Sequence, residues 1–111
     1  MEIDERQHGA VTVLRPRGPI VEADAEGLIG RAREALEASL GRFVIDAADV
    51  AYVDSCGLEA LLEVTEMLAS SGQALKVCGA TETLREILSL TGLSGEFEHY
   101  EDVQVAVRSF A

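Results

Sequence analysis

Phe43-Val44-Ile45-Asp46-Ala47-Ala48-Asp49-Val50-Ala51-Tyr52-Val53-Asp54-Ser55-Cys56-Gly57-Leu58 is the stretch on which the fold turns. Phe43 to Ile45 is a short, continuous apolar run, the pattern of a strand buried on both faces of a sheet. Ser55 opens a helix predicted to run to about Ser70 and to stop at Gly72. Leu58, Leu61, Leu62, Thr65, Leu68 and Ala69 recur there at helical spacing and form one apolar stripe. A buried strand leading through a loop into an amphipathic helix is part of a β-α-β unit. Functional loops in such sheets gather at the carboxyl ends of the strands, and Asp54-Ser55 stands at that place.

The flanking sequence extends the pattern in both directions. Residues 2–6 and 10–15 bracket Gln7-His8-Gly9, a turn-like trio, and predict an antiparallel hairpin. Arg15-Pro16-Arg17-Gly18-Pro19 then breaks regular structure. Asp24 is expected to cap a helix reaching about Leu40, with Leu28, Ile29, Ala32, Ala35 and Leu36 inward and Gly41 ending it. Leu75 to Cys78 reads as a strand, Thr83-Leu84-Arg85-Glu86 as a capping box opening a short helix, Phe97 to Tyr100 as a strand and Val103 to Phe110 as a terminal helix. The order β-β-α-β-α-β-α-β-α predicts an α/β fold with a mixed, mostly parallel sheet of about five strands, about four helices and an opening β-hairpin. Residues 1–111 read as one domain.

Composition narrows the function classes. Of the 111 residues 48% are hydrophobic, enough for a packed core, and with no Trp that core is expected to be Leu, Val, Ile and Ala. The formal charge of −11, with Lys76 the single lysine, argues against nucleic acid and suits docking to a basic protein partner. No apolar run is long enough to span a bilayer, and the acidic start Met1-Glu2-Ile3-Asp4-Glu5 is unlike a signal peptide, so a cytoplasmic protein without membrane attachment is expected. Cys56 and Cys78 form no C-x-x-C, and His8 and His99 lie near opposite ends, so neither a metal site nor a cofactor is expected. Cys78 reads as a small buried hydrophobe.

Ser55 has three possible roles. As structure alone, Asp54 or Ser55 caps the helix and contributes about 1 kcal/mol. Capping leaves Gly57 unexplained, because glycine in a first turn costs up to about 1 kcal/mol relative to alanine unless another backbone comes close. As a nucleophile Ser55 lacks a base, since neither histidine is near it in sequence, and the glycine of a nucleophile elbow is missing. No enzyme is expected. Cys56 as a reactive thiolate is opposed by Asp54. As a phosphate acceptor Ser55 would sit at a helix N-terminus that tolerates an anion, and a phosphate would weaken a partner complex more than the fold.

Val44 through Leu62, with Gly72-Gln73-Ala74-Leu75-Lys76-Val77-Cys78-Gly79 and Leu84-Arg85-Glu86-Ile87-Leu88, resembles the STAS domain of anti-sigma factor antagonists and of the cytosolic tails of sulfate transporters. The resemblance implies that Ser55 is phosphorylated by an anti-sigma factor that is also a serine kinase, with ATP bound by that partner. It further implies release on phosphorylation and resetting by a serine phosphatase. Asp54 and Gly57 would shape the turn. Glu22, Asp24, Cys56, Leu58, Glu59 and Leu62 would join them in the contact surface. Cys56 departs from the Ser or Thr common at its position.

The same domain also serves as a non-phosphorylated binding subunit of lipid-transport or stress-sensing complexes. A response-regulator receiver domain is the rival from another class, with Asp46 as acceptor. It would need an acidic pair after its first strand and a lysine after its last. Here Asp4-Glu5 lies inside the first strand, and Lys76 precedes the last.

Overall fold

β1 (Ile3–His8) and β2 (Val11–Pro16) form the opening hairpin, in antiparallel register from Ile3↔Pro16 to His8↔Val11. The computed structural model describes every residue from Met1 to Ala111. The turn is Gly9-Ala10, so Gln7 and His8 belong to the strand and not to the turn. Gly9 takes φ +63° while Ala10 stays at negative φ, a primed two-residue turn that matches strand twist. Pro16 ends β2 without disrupting it. The ladder to the next strand stops at Leu14↔Ile45, so the N–H that proline lacks interrupts no bond.

β3 (Phe43–Asp46), β4 (Leu75–Cys78) and β5 (Phe97–Tyr100) add in parallel, giving the sheet order β1-β2-β3-β4-β5. The crossovers are α1 (Glu22–Ser39), α2 (Ser55–Ala69) and α3 (Glu82–Leu90), the last followed by a 3-10 turn at Ser94–Glu96. From β2 to β5 each new strand is laid on the same side of the one before. Right-handed crossovers then place all three helices on one face. Leu14, Ile45, Leu75, Val77 and Phe97 of the strands meet Leu28 and Ala32 of α1, Leu61, Val64 and Leu68 of α2, and Leu84 and Leu88 of α3 in one core. Leu14, Leu28 and Leu75 are fully buried, each worth ~2 kcal/mol over exposure. α4 (Val103–Arg108) leads to no further strand and packs on the other face, where Ala106 meets Val11, Val44 and Cys78.

Three helix ends differ from expectation. α1 begins two residues before Asp24, with Val21 as N-cap. Valine offers no side-chain acceptor, so Asp24 reaches back from the third helical position and accepts the Val21 N–H at 3.3 Å. In α3 the cap is Thr81, not Thr83: its Oγ1 accepts the Leu84 N–H at 3.1 Å and donates to the Val50 carbonyl at 3.1 Å. α4 ends at Arg108, short of Phe110. The residues beyond it are held by Lys76, whose Nζ donates to Ser109 Oγ at 2.7 Å and lies 4.3 Å from the Phe110 ring centroid.

The buried face of α2 is also rotated from the expected stripe. Gly57, Ala60, Leu61, Val64, Thr65 and Leu68 are buried, Ala69 is exposed, and Leu58 and Leu62 are only half-buried at the edge. Packing against α1 sets this rotation, and it leaves two leucines partly open to solvent.

Candidate functional site

The loop after β3 runs Ala47 to Asp54 and returns beside the segment leading into α1. Ile20 and Val53 pair in a parallel bridge. The Ile20 N–H donates to the Tyr52 carbonyl at 3.2 Å, and the Asp54 N–H donates to the Ile20 carbonyl at 3.3 Å. These bonds hold the N-termini of α1 and α2 side by side at the carboxyl end of the sheet. Asp54 then serves both helices. Its Oδ1 accepts the Gly57 N–H at 2.8 Å and its Oδ2 accepts the Glu22 N–H at 3.0 Å. Each such capping bond contributes about 1 kcal/mol, and a carboxylate at two helix N-termini also favours both dipoles.

Gly57 answers the question its sequence position poses. A Cβ there would lie 2.0 Å from the Ile20 carbonyl oxygen and 2.8 Å from its carbon. Both are backbone atoms fixed by the bonds just described, so they cannot step aside as a flexible side chain would. Glycine is required because the segment before α1 crosses directly over the first turn of α2.

With Asp54 as the cap, Ser55 has no capping duty. It is exposed at the first position of α2, an accessible hydroxyl on rigid backbone. The field around it is negative. Burial first, then the carboxylates of Glu22, Asp54 and Glu59, push the neighbouring Cys56 thiol up, so it stays a thiol at neutral pH; a hydrogen bond from Ser55 opposes this weakly. Neither histidine is placed as a base. His8 pairs with Val11 at the start of β2, the opposite end of the sheet, and His99 lies in β5 with Nε2 2.9 Å from the Ser94 carbonyl. No base is placed beside Ser55 for covalent catalysis, and its hydroxyl is left exposed at the start of α2.

The expected contact residues divide. Glu22, Asp54, Ser55, Cys56 and Gly57 are brought together by the Asp54 bridge, with Glu59 exposed and Leu58 and Leu62 half-buried one and two turns on. Asp24 is committed elsewhere: its carboxylate holds Val21 and lies 3.4 Å from the Met1 amino group. Two participants had no reading in the sequence. Ile20 contributes backbone alone, which no residue type announces. Tyr52 is 48% exposed between buried Val50 and Val53, and an aromatic in a loop of a chain poor in aromatics was its one signal.

A second acidic group lies at the start of the same loop. Arg15 Nε meets Asp49 Oδ2 at 2.9 Å, and Arg15 Nη1 lies 3.6 Å from Asp46 Oδ2. Arg17 Nη1 reaches Asp49 at 3.3 Å. The hydrogen bond from Arg15 holds the Asp49 carboxyl below its ordinary range, and Asp49 in turn raises Arg15. Asp46, the acceptor a receiver domain would use, is buried and accepts the Ala48 N–H at 3.1 Å, so it is part of the framework. Burial pushes the Cys78 thiol up to about 12. No helix is long and apolar enough to cross a membrane.

Several solved structures share this architecture. A candidate anti-sigma factor antagonist of Thermotoga maritima matches with a TM-score of 0.86 at 19% identity, over 96% of this chain and 92% of its own. An anti-sigma factor antagonist of Mycobacterium paratuberculosis matches at 0.81 and 24% identity, over 97% and 92%. The Bacillus cell fate determinant SpoIIAA, in its phosphorylated form, matches at 0.73 and 13% identity, over 99% and 100%. At these identities the likeness concerns the fold. No curated protein matches significantly in sequence. The STAS domain family model matches residues 2–106, nearly the whole chain, and the chain belongs to the STAS domain family.

Proposed function

We propose that this chain is a cytoplasmic anti-sigma factor antagonist, a binding module switched at Ser55. Unphosphorylated, it binds an anti-sigma factor that is also a serine kinase and so frees a sigma factor for transcription. The partner holds the ATP and transfers phosphate to Ser55, the complex parts, and a serine phosphatase restores the binding form. The observation that carries this reading is the division of labour in the first turn of α2. Asp54 takes the cap, and Ser55 is left exposed among Glu22, Asp54 and Glu59 with no base beside it.

The charges explain why phosphate would act on binding more than on folding. A phosphoserine adds about −1.5 to −2 charges at pH 7. At an exposed helix N-terminus, the dipole offsets ~0.3–1 kcal/mol of the repulsion from Asp54. In a closed interface the same group would be desolvated among carboxylates, at several kcal/mol, and each ~1.4 is tenfold in affinity. SpoIIAA, which shares the fold, is itself known in unphosphorylated and phosphorylated forms.

The test incubates the chain with ATP and each purified GHKL-type serine kinase of the source organism. One kinase should add a single phosphate, located on Ser55 by peptide mass spectrometry and absent from Ser55→Ala. Labelling elsewhere, or by none of these kinases, would contradict the proposal and favour a non-phosphorylated binding subunit.

A further inference from the structure

Past Ser55, the outer face of α2 continues as a surface with a marked chemistry. From Phe43 through Leu75 the chain contains no Lys, Arg or His. Ser55, Glu59, Glu63 and Glu66 recur at i, i+4, i+8 and i+11 and so form one stripe about 16 Å long. All four are exposed, and none of the three glutamates has an ion pair within the chain. Like charges at this spacing destabilise a helix, so the stripe weakens α2 and nothing inside the molecule compensates.

Beside the stripe run Leu58 and Leu62, the two leucines left half-open by the rotation of α2. Tyr52 stands at its head, three residues before Ser55. It is the one aromatic among the exposed large hydrophobic residues, and its backbone is held by the Ile20 N–H at 3.2 Å. A large side chain on a fixed backbone loses little conformational freedom on binding, which is the profile of an interface anchor.

We infer that Tyr52, Leu58, Leu62 and the Glu59-Glu63-Glu66 stripe form one docking surface for a protein partner bearing an apolar pocket that takes the Tyr52 ring, bordered by a row of Lys or Arg. This rests on the reading of Ser55 as a switch and gives its partner a shape. The apolar pocket supplies affinity, and the basic row supplies orientation and rate of encounter. Ser55 lies between anchor and stripe, so a phosphate there would meet the junction of pocket and row.

The experiment uses the full chain and keeps two readouts apart: Ser55 labelling by mass spectrometry, and binding to the same purified kinase by calorimetry. Tyr52→Ala should weaken binding about 30-fold and Tyr52→Phe less than about 3-fold. The triple variant Glu59→Gln, Glu63→Gln, Glu66→Gln should lose about 10-fold at low salt and much less at high salt. All three should keep the circular dichroism of the parent; the two Tyr52 variants should melt like it, and the triple variant at or slightly above it, because the like-charge repulsion along α2 is relieved. Unchanged affinity of Tyr52→Ala, or a loss in the triple variant that salt does not alter, overturns the docking surface while Ser55 labelling leaves the switch standing. If no kinase labels Ser55, the switch fails on its own readout. The surface is then tested by a photo-reactive phenylalanine placed at position 52 in source cells. It should join the chain to one protein that, once purified, shows the same Tyr52→Ala loss and salt dependence; no adduct overturns the surface.

Discussion

Asp46 and Asp49, at the start of the loop after β3, face Arg15 and Arg17; Asp54, at its end, and Glu59 beyond it face no cation at all. The first pair is consumed by the fold. Its charges are matched across 34 residues of sequence and pin the loop to β2. The second pair is only half consumed. Asp54 spends both oxygens on backbone N–H groups, which satisfies its hydrogen bonds and leaves its charge unneutralised, and Glu59 spends nothing. The matched carboxylates belong to the framework, and the unmatched ones beside the exposed Ser55 hydroxyl belong to the surface for which a partner is proposed.

The sharpest way to break this contrast is at Gly57. Gly57→Ala puts a methyl 2.0 Å from the Ile20 carbonyl oxygen, and relief requires separating the two helix N-termini. A loss of about 3 kcal/mol is expected in denaturant unfolding, the upper end of overpacking. A near-neutral result would mean that the two segments are not held as described. Asp54→Ala comes next, with about 2 kcal/mol lost because two capping bonds disappear together. Asp54→Asn should recover part of this, since an amide presents only one oxygen to two N–H donors.

Glu63→Lys tests the opposite sign. Placed four residues after Glu59 and three before Glu66, the lysine should stabilise α2 by about 0.5 kcal/mol while weakening the partner complex. Thermal melts and binding measured on the same variant check both halves. The smallest effect belongs to the matched side. The folded-state carboxyl of Asp49 lies below its ordinary value, so its contribution is present above the unfolded pKa near ~3.9 and is lost as pH falls through the folded one. Asp49→Asn should therefore be less stable than the parent at neutral pH and converge with it below about pH 4. Parallel pH-stability curves would show that the Arg15 pairing carries no linkage.

The element order was legible because period and length speak locally: Phe43 to Ile45 is apolar without alternation, and the leucines of α2 repeat at helical spacing. Features one or two residues wide were displaced where local chemistry offered two answers. Thr83 heads a better capping-box pattern than Thr81, yet Thr81 is the cap because the Val50 carbonyl holds its hydroxyl across 31 residues. Asp24 outranks Val21 as a cap in isolation, but the Ile20–Val53 bridge sets where α1 begins. At the site, Ser55 stood out by position, and the cost of glycine at Gly57 signalled a close neighbour without naming it. The Asp54–Glu22 bond joins residues 32 apart, and no pattern within either segment encodes it.

The central claim is that Ser55 switches a binding surface and leaves the fold intact. Calorimetric titration of the kinase that labels Ser55, with the Ser55→Ala and Ser55→Asp chains side by side, tests it most directly. The account predicts that Ser55→Ala binds persistently, that Ser55→Asp binds at least about 10-fold more weakly, and that both melt like the parent. Equal affinity of the two variants would contradict it.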